Sequence, residues 1–454
     1  MGISGHDTTP TGAEPSVPAP ARRVPRPLSP LREHLRDTFW FTPTVGLLGA
    51  VVAAGVVMEL DHWLVRGLQE EGDYETVGSL IRIADDAKSI VTTVGSAMLT
   101  FIGVVFSISL VALQMASGQF SPRVVRLYVR SRITKCTFAV FLATFLFALL
   151  AQSAYEGETD ARTISTVPVF SGLVCGLLLL VSLALFVAYV NSTLRLMRVG
   201  HVIDRIMRES LHVLDRHART AGQGADPPAL PPSGPEVAHR GRAGVLRDVH
   251  IARLVRVARR QGVVLRLIPR IGDYVVPGTP LFAVHGGRSV PPARALRYTV
   301  SVGVERTFHQ DIGFGLRQLS DIAQRALSPA VNDPTTAVQC LDRIVQFLTA
   351  IAHRPLGALC HSDRGGAVRL VQDLPGWTDL VDLGLTEIRR CAVGSPQVTR
   401  RLMAGLDDLW ALVPQERRRP LERHRTLLEQ AVARTVPEAA DREFALEADR
   451  QGIG

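Results

Sequence analysis

Lysine is almost missing: Lys88 and Lys135 stand among 51 basic residues, so the positive charge is nearly all arginine. Beyond Lys135 no side chain is available for a P-loop lysine, a Schiff base or a lipoyl or biotinyl attachment, which removes those chemistries from the larger part of the chain. Cysteine is sparse too. Cys136, Cys175, Cys340, Cys360 and Cys391 are odd in number, widely spaced and without a C-x-x-C, so neither a disulfide framework nor a zinc site is expected. Aromatics make up only 6% and are scarce among the arginines. With no DNA-binding motif present, no nucleic-acid partner is expected. No nucleophile, metal or phosphate-loop motif occurs either, so a non-enzymatic protein without a cofactor is expected.

Charge is absent from four long stretches. They are Phe39–Met58, Ser89–Pro122, Cys136–Ala154 and Val167–Val190. Each is close to or above the roughly 20 apolar residues that cross a bilayer as a helix. The first span extends to about Leu64, with Trp40 and Trp63 at the levels where aromatic belts sit. Pro168 suits the first turn of the fourth. The connections alternate in sign. Arg22, Arg23, Arg26, Arg32 and Arg36 precede the first span; Asp61, Glu70, Glu71, Asp73, Glu75, Asp85 and Asp86 follow it. Arg123, Arg126, Arg130, Arg132 and Lys135 fill the next loop, Glu156, Glu158 and Asp160 the third, and Arg195 and Arg198 come after the fourth. Positive charge stays on the cytoplasmic side. A multi-pass protein of the bacterial inner membrane is expected, with both termini in the cytoplasm and anionic lipid head groups near Arg123–Lys135.

The second span carries an unusual face. Ser96, Thr100, Gly103, Ser107 and Gln114 recur at helical spacing, and Thr92 and Thr93 extend the line. Lipid satisfies no polar atom, so such a stripe faces another helix, water or a bound ligand. With the basic flank at Arg123–Lys135, the stripe makes a homo-oligomeric channel- or transport-like protein with a cytosolic regulatory or assembly domain the leading expectation. A membrane-anchored scaffold or sensor is the alternative.

Residues 1–30 are rich in Pro, Thr and Ala without apolar periodicity and read as a disordered tail. Residues 31–220 hold the four spans and a helix that emerges from the last, over about Leu194–Arg216. His201, His212 and His217 on it share no face and read as solvated. Pro and Gly make 221–243 a linker. A small α+β module is expected over 244–300. In it Ile251, Leu254, Val255 and Ala258 line one side of a helix whose other side carries Arg253, Arg256 and Arg260. Gly272-Asp273 and Pro277-Gly278 then separate three short strands within 262–286. A helical domain fills 301–440, with helices over Asp379–Cys391, from Ser395-Pro396 to Pro414, and over Gln415–Val436 with Arg417, Arg418 and Arg419 outward; 441–454 is a tail. The fold class is thus a four-helix membrane part followed by a cytosolic α+β part. Residues 1–190 carry 14 basic and 15 acidic side chains and the rest 37 and 27, so the excess charge lies in that second part.

The most distinctive soluble stretch is residues 302–348. Phe308, Ile312, Leu316, Leu319, Ala323 and Ala326 form one helical face. Asn332-Asp333-Pro334 opens a second helix, with Asp333 as the cap and Pro334 in the first position. Glu305, Arg306, Gln310, Asp311, Asn332 and Asp333 crowd two helix ends and are candidates for a polar ligand site or a subunit contact. QMASGQFSPRVVRLYVR (114–130), PRIGDYVVPGTPLFAV (269–284) and RTFHQDIGFGLRQLSDIAQRALSPAVNDPTTAVQCLDRI (306–344) resemble the bacterial predicted membrane proteins grouped as domain of unknown function 2254. That resemblance implies a four-span inner-membrane protein with a cytosolic domain and implies no activity. Its pattern has Gly where this chain has Ala330, a position where a left-handed backbone would favour Gly.

Overall fold

The computed structural model describes residues 38–119, 131–153, 164, 167–220, 229–286 and 291–452. The expected N-terminal tail, the arginines at 123, 126 and 130, the acids at 156, 158 and 160 and the first part of the linker lie outside them.

Helices α1 (Phe41–Glu70), α2 (Tyr74–Gln119), α3 (Arg132–Ser153) and α4 (Val169–Met197) are each long and apolar enough to cross a membrane. They run up and down. Half of the apolar stretch of α3 is buried against 17% for each of the other three, so α3 is the central helix. Val91, Met98, Val105 and Ala112 recur every seven residues and form the packed seam of α2. Tyr189 ties α4 to α2 through its hydroxyl, 2.6 Å from Ser109 Oγ and 3.0 Å from the Val105 carbonyl. Lys135 is buried rather than turned to head groups. Its ammonium donates to the Thr38 carbonyl at 3.0 Å, which fastens the start of α3 to the start of α1.

The far end of the bundle differs from a simple acidic loop. The acidic stretch from Tyr74 to Lys88 is the first part of α2, opened by Asp73, which accepts from Thr76 N at 3.0 Å. Val65, Val77, Ile81, Ile164 and Val167 make a small core there. Asp61 is fully buried and caps α4 from a neighbouring helix. It accepts from Phe170 N (2.7 Å) and Ser171 N (3.1 Å), two amides that a helix start would otherwise leave unmet, and from Ser171 Oγ (2.6 Å).

The chain breaks at Arg198, which is extended, and continues as α5 (Val199–Thr220). Next come β1 (Ser233–Ala238), β2 (Gly244–Val249), α6 (Ile251–Gln261), β3 (Val264–Leu267), β4 (Tyr274–Val275), β5 (Pro280–His285), α7 (Ala293–Arg297) and β6 (Val300–Gly303). The remainder is α8 (Phe314–Ala326), α9 (Pro334–Ile351), β7 (Ala358–Ser362), β8 (Val368–Asp373), α10 (Trp377–Cys391), α11 (Pro396–Leu412), α12 (Arg419–Thr435) and α13 (Ala439–Leu446). One sheet has the order β1-β5-β3-β8-β7, with β3 and β8 parallel; a second has the order β4-β2-β6. Leu246, Leu254, Leu265, Phe282 and Leu370 fill the core between these strands and α6.

The three strands expected in 262–286 are β3, β4 and β5. Three expected boundaries change. β1 lies within the expected linker, because Val237 is buried against β5. β7 and β8 lie within the expected helical domain and complete the sheet of the small module, so the two regions share one sheet rather than dividing near residue 300. The expected C-terminal tail carries the end of α13, and Arg450 binds Asp408 at 2.8 Å.

α8 to α13 surround a core that takes Val202, Ile203, Ile206, Met207, Val213 and Leu214 from α5. The helix leaving the membrane part is therefore a core element of the domain. Arg417 does not point outward as expected. Its guanidinium donates to the carbonyls of Ile351 (2.8 Å), Ala352 (2.7 Å) and Arg354 (2.7 Å), meeting acceptors that the end of α9 leaves open. Asp333 caps α9 as expected, accepting from Thr336 N at 3.0 Å. The left-handed residue of the turn before it is Asn332 (φ 46°) and not Ala330, which explains why alanine is tolerated at 330.

Candidate functional site

A pocket forms where the distal end of α5 meets the five-stranded sheet. Its walls are Ile251, Leu267, Ile271, Leu359 and Leu374, and its polar groups are Arg216, His217, His309, Gln310, His361, Gln372 and Asp373. Its cavity volume is about 20 Å³, room for one ordered water, so anything larger would have to displace its walls. An apolar pocket with a few convergent polar groups is the default place to look for a ligand.

Several elements position these groups. Arg216 Nη2 donates to the Phe308 carbonyl at 3.3 Å, and His217 Nδ1 lies 2.8 Å from the Val213 carbonyl. Gln310 is buried and clamps the end of β2: its Oε1 accepts from Val249 N (3.2 Å) and its Nε2 donates to Val249 O (3.0 Å). His361 Nε2 lies 2.7 Å from Gln372 Oε1, which makes that nitrogen the donor, and His309 Nε2 is 3.7 Å from Asp248. Asp373 is already paired with Arg266 at 2.8 Å.

Electrostatics keep the buried rings neutral. Burial pushes His361 down to about 4, against the pull of its bond to Gln372. His217 is lowered, first by burial and then by the neighbouring Arg216 charge, while the Val213 carbonyl works the other way. Acidification must therefore place charge into an apolar-walled space beside an arginine. Among the described residues, no three His, Cys, Asp or Glu side chains are grouped as a metal ion would need.

The six candidates near the helix ends do not form one ligand site. Arg306 and Asp311 make a bidentate pair at 2.7 and 2.9 Å, and Asp311 also accepts from Gly313 N at 3.1 Å. Burial pushes the Asp311 carboxyl up while the Arg306 fork pulls it down. Gly272 (φ 100°) passes so close that a Cβ there would lie 2.5 Å from Asp311 Oδ2. These residues lock the seam between the small sheet and α8. Of the six, only Gln310 reaches the pocket. Asp333 is a helix cap and Asn332 a turn residue; Glu305 is exposed.

The α2 stripe is placed as a unit. Ser96, Thr100, Gly103, Ser107 and Gln114 are all exposed, on the side of α2 turned away from Val91, Met98, Val105 and Ala112. A Cβ on Gly103 would meet nothing within 4 Å, so among the described residues the stripe does not serve packing. Two of its hydroxyls donate to their own helix, Ser96 to Thr93 O (2.9 Å) and Thr100 to Ser96 O (3.5 Å).

Sequence reasoning missed Arg216, His217, His309 and His361. His217 was expected to be solvated, and it is the one of the three α5 histidines that is partly buried; His201 and His212 are exposed. A signal existed for β7 and β8, in the alternating pattern on either side of Asp363-Arg364-Gly365-Gly366. Nothing local announces that this hairpin pairs with β3 and brings His361 to His217.

The model of a predicted membrane protein family, DUF2254, matches residues 36–408. An uncharacterised protein of Mycobacterium bovis and two uncharacterised proteins from strains of Mycobacterium tuberculosis are 29% identical to the chain over 432 residues, covering 92% of it and 79% of each relative. No solved structure matches. With more than three-quarters of its length matched, the chain belongs to the DUF2254 family of predicted membrane proteins.

Proposed function

We propose that this protein works as a homo-oligomer in the bacterial inner membrane, with the α2 stripes of several copies lining a polar path and the C-terminal domain regulating it from the cytoplasm. One observation carries this reading: the stripe lies on the free side of α2, where the chain's own bundle leaves it unused. From Ser96 to Gln114 it covers about 27 Å, nearly the ~30 Å of a hydrocarbon layer. Hydroxyls that donate to their own helix still offer lone pairs outward, which suits water or a second helix. The orientation rests on the loop charges, and on Arg132, Arg195 and Arg198 at the end from which α5 leaves. On this reading the protein acts by passage and binding, not by catalysis.

Purified protein in liposomes should conduct or release a small solute, and Gly103→Leu should block that flux. In a background without reactive native cysteines, Cys at 96, 100, 103 and 107 should react with a water-soluble thiol reagent, whereas Cys at 98 and 105 should stay silent. Silence along the whole stripe, with no flux, would overturn the path. A pore-free sensor is the second reading, favoured by the histidine-lined pocket at the end of α5. Cys at Glu71 should be labelled from outside intact cells and Cys at Gln415 should not; the reverse pattern would overturn the orientation.

A further inference from the structure

The turn between α8 and α9 lies where the chain leaves the membrane part. α5 and α9 run parallel in a fixed register. Gly200 lies by Gln339, Asp204 binds Arg343 at 2.7 Å, and Asp215 binds Arg354 at 3.2 Å. α8 runs the other way, its start crossing α5 at Ser210 and its end joining α9 through residues 327–333. Residues 329–331 precede Gln339 and therefore sit level with, or beyond, the first residues of α5. Only Arg198 separates that start from α4, so the turn flanks the exit point whatever angle α5 takes.

The tip of the turn is apolar, and of its amides all but that of Ala330 are turned inward. Val331 N and Asn332 N donate to Ser328 O (3.0 and 2.9 Å), and Asp333 N donates to Ala326 O (2.8 Å). The Asp333 carboxylate is occupied by Thr336, and proline has no N–H to leave open. Pro329, Ala330 and Val331 remain exposed, Val331 by 41%. Ser328, Pro329, Asn332 and Asp333 are ordinary turn residues, whereas Ala330 and the exposed Val331 are not. An apolar tip with one open amide suits the head-group layer, where water and lipid oxygens can still meet it, better than the acyl interior. The exposed Arg195 and Arg198 stand at the exit, where anionic head groups would meet them.

We propose that the Pro329-Ala330-Val331 tip rests in the lipid head-group layer beside α4, making the turn a membrane contact of the C-terminal domain. This holds whether or not α2 lines a path. The far end of the same bundle supplies the control. Leu412 is 49% exposed, and its carbonyl contacts His353, just past the other end of α9.

The test uses full-length protein in nanodiscs with Cys136, Cys360 and Cys391 changed to Ser. A polarity-sensitive fluorophore is attached to Val331→Cys or to Leu412→Cys, and each melting curve is checked against the parent. Brominated lipids should remove most of the emission at 331 and leave 412 unchanged. Equal, water-like emission at both positions would overturn the proposal. A probe at 331 shielded from water but unquenched by lipid would also overturn it, because protein rather than lipid would then cover the tip.

Discussion

Gly315 is the sharpest place to test how the helix leaving the membrane joins the C-terminal domain. A Cβ on Gly315 would lie 1.7 Å from Ser210 Oγ and 2.9 Å from Ser210 Cβ. Rotating the hydroxyl relieves the first contact only, so α5 and α8 must part for Gly315→Ala to fit. Overpacking of this kind costs about 1–3 kcal/mol. Alanine returns up to about 1 kcal/mol of helix propensity over glycine. The expected net loss is therefore about 1 kcal/mol, or a melting point lower by roughly 2–4 °C for a domain of this size. Ser210→Gly alone should also destabilise, by about 0.5 kcal/mol of helix propensity, since its hydroxyl only donates back to Ile206 O of its own helix (2.7 Å). Placed together, the two changes exchange which helix carries the Cβ, and the pair should lose clearly less than the sum of the singles. The assay is thermal unfolding of the full-length protein in detergent. Strict additivity, or a Gly315→Ala protein that melts at or above the parent, would refute the contact.

Other outcomes follow from single residues. Asp61→Ala should lower the melting temperature sharply in the same assay, since it strands three donors at about 1–3 kcal/mol each, while Asp61→Asn keeps an acceptor and should lose less. Asp333→Ala should destabilise by about 0.5–2 kcal/mol with Asn retaining much of the cap; an unchanged melt would count against the capping role. For His361, the folded pKa of about 4 lies below the ordinary value of 6.5, so the neutral ring is the form that folding favours. Its contribution is intact above pH 6.5 and is lost as pH falls toward 4, by roughly 3 kcal/mol in all. His361→Gln should flatten the acid side of the stability curve, and a variant with the parent's pH profile would remove burial of this ring as the cause.

The four spans were legible because a bilayer imposes a long charge-free run, a constraint that no tertiary contact can relax. The cap at Asp333 was legible for a local reason: Asn-Asp-Pro fixes a backbone geometry without help from distant residues. Where the fold depends on what a segment meets, sequence reading failed. Arg417 looks like a surface arginine until the end of α9 arrives beside it. Asp61 reads as one of several loop acids, yet it is the acceptor for a helix 109 residues further on. The division near residue 300 failed because β8 enters beside β3 in parallel, a pairing set by Leu265 opposite Leu370 and by no turn between them. The pocket was invisible for that same reason, since His217 and His361 meet only once this pairing and the α5 packing are both made.

These placements give α5 an unusual position. Its first residues follow α4 with only Arg198 between, its middle is buried in the helical core, and its last turn lines the pocket. A tether would need only its first turn, and a peripheral helix would not contribute six core residues. Rotating or lifting α5 cannot occur without disturbing α8 and α9, because Gly315 leaves no slack at the crossing and the six core residues of α5 hold it there. The partly exposed Asp204–Arg343 and Asp215–Arg354 pairs only mark the register. The extended backbone at Arg198 is thus the natural place for movement between the two parts. On the proposed reading, a change at the pocket, such as charge entering beside Arg216, would reach the membrane by displacing the whole C-terminal domain about Arg198, rather than by loosening α5 within it.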